Sequence, residues 1–314
     1  TKKRMETGDE EFLAATKDFI DRSHKADKPF FCWFNATRMH IFTHLKPASI
    51  GKTTSLQGDG MVEHDGMVGE LLKQLDDLKI ADNTIVIYTT DNGAMKNQWP
   101  DGGASPFRSE KDTGWEGAVR VPALIRWPGK VKPGTNFMEL FSAEDWLPTL
   151  VAAAGGDPNL RESAKKGVTA GTKTFKVHID GYNQVPYLTG QAPSARKEYV
   201  YFSDDGDLLA YRDERFKYHF TIQQEIGMKV WRYPLTELRA PVMIDLQSDP
   251  YENSWDGSAY WEGWAMKHSF LVLPAVSKVG EYLATYRDFP PRQRPASFSI
   301  DQVIEKLNSG AKGK

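Results

Sequence analysis

The run Thr84-Ile85-Val86-Ile87-Tyr88-Thr89-Thr90 stops abruptly at Asp91-Asn92-Gly93, and this junction limits the possible folds more than any other stretch. Consecutive β-branched and aromatic residues suit a strand. Without polar alternation they predict one buried on both faces, as in a parallel sheet. Gly93 permits a sharp exit. Asp91 and Asn92 are then delivered to the carboxyl end of the strand, where open α/β sheets place their ligands.

The flanking pattern extends this reading. Residues 10–24 carry Phe12, Leu13, Phe19 and Ile20 among charges and predict an amphipathic helix. Lys28-Pro29 interrupts it, and residues 30–35 predict a buried strand. Residues 38–55 have no period and hold His40 and His44, as a loop lining a site would. Helical spacing returns over 58–78 through Met67, Leu71, Leu75 and Leu78. Strand, helix and strand in this order predict a crossover unit, hence an α/β fold with a mostly parallel sheet flanked by helices.

Further along, residues 119–127 form another apolar run. A helix is expected over 143–154 with a kink at Pro148, and a loop over 155–176. From Glu198 the texture changes to short strand-like runs (199–202, 208–212, 216–222 and 243–246) separated by Asp and Gly turns. These predict a smaller C-terminal subdomain with an antiparallel sheet. A helix over 271–286, a Pro-rich connector over 290–295 and a disordered tail over 309–314 complete the reading. The expected division is 1–195 for the α/β part and 196–314 for the α+β subdomain.

Composition sets the outer bounds. Hydrophobic residues make up 40% and charged residues 26% of the 314, and the net charge of -2 supplies no basic face for a nucleic-acid partner. No apolar run reaches the roughly 20 residues of a membrane span, so a soluble protein is expected, with cytoplasm and periplasm both compatible. Cys32 is the only cysteine and excludes an intrachain disulfide. Within Phe30-Phe31-Cys32-Trp33-Phe34 it reads as a small core hydrophobe.

Two adjacent oxygen-bearing side chains, Asp91 and Asn92, suit a hard cation such as Ca²⁺ or Mg²⁺; a plain Asp-Asn-Gly turn is the alternative. Downstream stand Gly114-Trp115-Glu116-Gly117-Ala118-Val119-Arg120-Val121-Pro122 and then Arg126-Trp127-Pro128-Gly129. Together these segments resemble the type I sulfatases (arylsulfatases) of the alkaline phosphatase superfamily, with Ala118 at the second glycine of their Glu-Gly-Gly-x-Arg-x-Pro block. The segments around Leu209 to Tyr218 and Ile244 to Asn253 resemble the family's C-terminal hairpin and its Asp-Pro-x-Glu turn.

The resemblance implies sulfate ester hydrolysis, with a small-molecule sulfate ester as partner. It places Lys111 and His40 as catalytic, sulfate-contacting residues, with His44 as a second candidate beside His40 and Asp91 and Asn92 as metal ligands. A solvated loop lysine and surface histidines are the plain alternatives. Glu116 and Arg120 read as an ion pair or loop anchor. The surplus of Trp99, Trp115, Trp255, Trp261 and Trp264 fits an aryl or sugar pocket, although core packing accounts for the same residues.

The family's nucleophile is a formylglycine made within Cys-x-Pro-Ser-Arg. That motif is absent here, since Cys32 precedes Trp33-Phe34-Asn35. The expectation is therefore the C-terminal part of a sulfatase, binding metal weakly and inactive alone, its site completed by an N-terminal segment or another chain. An apolar sheet edge should then be exposed. A truncated binding or assembly module, or a phosphodiesterase or phosphonate hydrolase of the same superfamily, are the other readings.

Overall fold

The computed structural model describes residues 1–291; the tail expected over 309–314 and most of the 290–295 connector lie outside them. The described residues gather into two compact units. One comprises Thr1–Pro106, Val119–Asn136 and Ile226–Met228. The other comprises Phe107–Ala118, Phe137–Glu225 and the described residues from Lys229 onward. Residues 137–195, expected with the α/β part, thus group with the C-terminal sheet.

In the first unit a short helix α1 (Lys2–Met5) leads into α2 (Gly8–Lys25). Acidic residues occupy the first turn of α2 and basic ones the last, matching the helix dipole. Leu13 and Ile20 form its buried stripe. Helix α3 (Leu56–Asp77) is capped by Ser55, whose hydroxyl accepts the N–H of Gly58 at 3.0 Å. It packs against α2 through Gln74, whose amide donates to Lys17 O at 2.9 Å and to Asp21 at 2.8 Å.

The two apolar runs of this unit depart from expectation. Residues 84–90 yield only a four-residue strand, β1 (Val86–Thr89), half-buried rather than fully buried. It pairs antiparallel with β2 (Ala123–Arg126), from Val86 opposite Arg126 to Thr89 opposite Ala123. Residues 30–35 are extended but join no sheet among the described residues. Their side chains still alternate as in a strand. Phe30 sits edge-on to Phe19 of α2 with ring centres 6.2 Å apart, while Phe31 and Trp33 point outward, 70% and 79% exposed. An extended segment becomes a ladder only beside a partner strand. The parallel pairing expected between these runs is absent among the described residues, whose recorded pairings are all antiparallel.

The second unit is built on an antiparallel sheet in the order β5 (Glu198–Phe202), β6 (Leu208–Asp213), β7 (Phe216–Ile222) and β8 (Thr236–Asp245) once its first elements are placed. These are a one-turn helix α4 (Glu116–Val119), helices α5 (Trp146–Ala153) and α6 (Leu160–Lys166), a hairpin of β3 (Val168–Ala170) and β4 (Lys173–Phe175), and α7 (Val185–Leu188). Helix α6 and the hairpin replace the loop expected over 155–176. Gly171, at φ +60°, supplies the left-handed turn residue that a tight hairpin needs. Pro148 falls in the first turn of α5, where its missing N–H costs no helical bond. No kink is required there.

Alternation along β7 assigns the faces of the sheet. Tyr218 joins Tyr211 and Met243 against Ala275 and Val279. The latter two lie on a helix near the end of the described chain. It is preceded by α8 (Ser254–Gly257) and α9 (Trp261–His268) and is labelled α10 (Val272–Ala284). A second cluster gathers Trp115, Ile222, Val242, Ile244 and Leu246, with Val242 and Ile244 flanking Met243 along β8. Lys217 and His219 are fully buried, which places two basic side chains inside the protein and requires that each find partners.

Candidate functional site

At the end of β1, Asp91 is exposed and Asn92 half-buried. Asn92 Nδ2 donates to Gly93 O at 2.8 Å, so its Oδ1 is the atom left to coordinate. Asp91 Oδ1 accepts a 3.3 Å bond from the Thr90 hydroxyl. The donor set is chemically right for a hard cation, but two ligands are too few for Ca²⁺. No group of three or more His, Cys, Asp or Glu suited to a metal exists among the described residues.

His40 is exposed and His44 half-buried in the same unit. The turn before them is fixed by Arg38, whose buried guanidinium donates to Glu63 at 2.5 Å and to the carbonyls of Met5 and Glu6 at 3.1 Å. The N–H groups of Thr37 and Arg38 donate to Asp9 at 2.8 and 3.0 Å. The Thr43 hydroxyl then closes on His40 O at 3.0 Å.

Lys111 lies in the other unit, half-buried on a loop closed by the Gly117 N–H donating to Arg108 O at 2.7 Å. A Cβ on Gly117 would meet that oxygen at 2.2 Å, so glycine is obligatory here. Trp115 Nε1 donates to Gln223 O at 2.9 Å, and the Arg108 guanidinium lies 4.2 Å from the centre of the Trp115 ring while forking onto Asp256. Ala118, in place of the family's second glycine, is buried without disturbing α4.

Beneath this loop is a buried network of charges. Glu116 accepts from the Tyr201 hydroxyl at 2.9 Å, Arg212 at 3.0 Å and Lys217 at 3.1 Å. Lys217 also lies 3.0 Å from Glu252, which accepts from His219 Nε2 at 2.8 Å and from the backbone N–H of Glu116 at 2.6 Å. Burial works against a charged Glu116, yet Lys217 and Arg212 outweigh it and hold its pKa below the usual carboxylate value. The same competition, won by Lys217, His219 and the Glu116 N–H, depresses Glu252. Burial pushes His219 down to about 4, with Glu252 opposing, so the imidazole is neutral near pH 7 and donates from Nε2.

Glu116 is thus a loop anchor whose cationic partners are Arg212 and Lys217, while Arg120 is exposed. Sequence reasoning missed Tyr201, Arg212, Lys217 and His219 as members of this anchor. In the sequence Lys217 and His219 alternate with Phe216, Tyr218 and Phe220 as an outward polar stripe would, so no local signal marks them. Beside Lys111, burial and the neighbouring Asp204 raise Asp112 to about 6, with Lys111 pulling the other way. Of the surplus tryptophans, Trp115, Trp255, Trp261 and Trp264 pack in the cores; Trp99 is 67% exposed.

Comparison with known proteins agrees with this architecture. The sulfatase family model matches residues 2–156. Human arylsulfatase A is 31% identical over 257 residues, covering 77% of this chain and 47% of the relative. The N-acetylgalactosamine-6-sulfatase of Canis lupus familiaris is 32% identical over 212 residues, 67% of this chain and 37% of the relative. The crystal structure of the PsFucS1 sulfatase from Pseudoalteromonas sp. superposes with a TM-score of 0.77 at 24% identity, over 91% of this chain and 54% of that one. The chain therefore spans about half the length of the relatives it matches. The shared motif order, matching family model and common fold lead to one conclusion: this chain belongs to the sulfatase family.

Proposed function

We propose that the protein hydrolyses sulfate esters. Lys111 and His40 contact the sulfate group, His44 is a further contact, and Asp91 and Asn92 contribute ligands to a Ca²⁺ or Mg²⁺ ion. The observation carrying this reading is the Lys111 loop, a half-buried ammonium on a backbone pinned by buried ion pairs. A pre-positioned cation stabilises negative charge growing on a sulfuryl or leaving oxygen without reorganising during the reaction. Exposed His40 is free to donate a hydrogen bond to the ester, and a bound divalent cation would screen the sulfate charge. The formylglycine nucleophile of the family would come from polypeptide outside these 314 residues, because its motif is not among them.

A second reading, a sulfatase-fold binding or assembly module, draws on the exposed Phe31, Trp33 and Leu124. Hydrolysis of 4-nitrophenyl sulfate with Ca²⁺ separates the two. The chain alone should turn over negligibly. Adding a polypeptide that carries the nucleophile region should restore turnover, and Asp91→Ala or Lys111→Ala should abolish it. Stable association without turnover would favour the module.

A further inference from the structure

Trp231 stands beside Lys111, with its indole centre 6.0 Å from the lysine ammonium. It is 43% exposed although it is flanked by Val230, which is buried at 5%. Such an indole adds little to a core, yet it offers a broad, rigid apolar face at the edge of a cation.

The indole is also held in place. Gln223, 3% exposed, donates from its side-chain amide to Val230 O at 3.2 Å and to Tyr233 O at 3.1 Å, bracketing Trp231. The N–H groups of Arg232 and Tyr233 both donate to Lys229 O at 3.0 Å. Gln223 O in turn receives Trp115 Nε1. One residue therefore fastens both the segment bearing Trp231 and the loop bearing Lys111, so the spacing of indole and ammonium is set by the scaffold. A fixed aromatic surface gains ligand contact at little cost in side-chain freedom.

We propose that Trp231 is a specificity-determining platform: a sulfate ester held at Lys111 lays the ring that carries the sulfate, aryl or pyranose, on the exposed indole. This inference rests on Lys111 being the sulfate contact and adds to that site one residue, Trp231, that sets the preference for the group bearing the sulfate.

Calorimetric titration of the full chain with inorganic sulfate, methyl sulfate, phenyl sulfate and glucose 6-sulfate tests it. The ring esters should bind about tenfold more tightly than methyl sulfate, the scale of one aromatic contact. Trp231→Ala should erase that preference and Trp231→Phe should keep most of it. A preference seen with only one ring ester supports the platform and assigns it to aryl or to pyranose. Wild-type protein that does not favour ring esters, or a Trp231→Ala variant that still does, overturns the proposal. Lys111→Met with undiminished affinity for inorganic sulfate instead rejects the sulfate site itself, an outcome separate from any effect at Trp231.

Discussion

Glu252 Oε2 accepts the backbone N–H of Glu116 at 2.6 Å, across 136 residues of sequence. Through this bond a turn after β8 takes hold of the loop that presents Lys111. Glu252 adopts φ +55°, a conformation uncommon outside glycine, and its side chain is fully buried. The contacts made by this carboxylate are what compensate for the backbone it requires.

Lys217 lies between the carboxylates of Glu116 and Glu252. Lys217→Met should leave two buried anions sharing only Arg212 and destabilise the protein by about 3–5 kcal/mol. Urea unfolding measures this. A loss below about 1 kcal/mol would mean that water or relaxation replaces the ammonium.

Gly117→Ala must push Arg108 O aside. Its expected cost is about 1–3 kcal/mol, with weaker binding of inorganic sulfate as the loop shifts. Gly263→Ala, where an added Cβ meets nothing within 4 Å, is the control: inside α9 it should stabilise by up to about 1 kcal/mol and leave sulfate binding unchanged.

Acid should loosen the second unit in two stages. Free imidazole titrates near 6.5 and His219 at about 4, so the unfolded chain takes up the proton first and stability falls as pH drops from about 6.5 to about 4. Glu252, depressed below its ordinary 4.5, adds a further loss as pH falls below that value. Urea midpoints between pH 7.5 and 4 would follow the first stage, and His219→Gln should flatten it.

Asp112 predicts the opposite slope for ligand binding. Its carboxyl, raised to about 6 by burial and Asp204, loses its charge as pH drops through that value and leaves Lys111 less neutralised. Affinity for inorganic sulfate should rise several-fold from pH 7.5 to 5.5. Asp112→Asn should show the higher affinity at both pH values; a pH-independent wild type would remove Asp112 from the account.

Phe31 and Trp33 present adjacent outward rings. Phe31→Ser with Trp33→Ser should lower binding of an apolar dye and self-association in sedimentation, with little change in the unfolding midpoint. A large loss of stability would show instead that these rings are covered in the folded protein.

The local sequence determined the helices over 8–25 and 56–77, the strands β5 to β7, the last residues of β8 and the bend at Asp91-Asn92, because period, capping and turn chemistry act within a few residues. Its motif order also carried the family. Tertiary structure decided what has no local signature. Residues 30–35 have strand-like alternation but no ladder, because a strand is completed only by its neighbour. Lys217 and His219 read as ordinary polar positions of β7 until Glu116, 101 residues away, and Glu252, 33 residues away, arrive to pair them. Trp231 counts as one more aromatic until Gln223 fixes it beside Lys111. Burial and charge compensation depend on which distant segments meet, and only the folded chain establishes that.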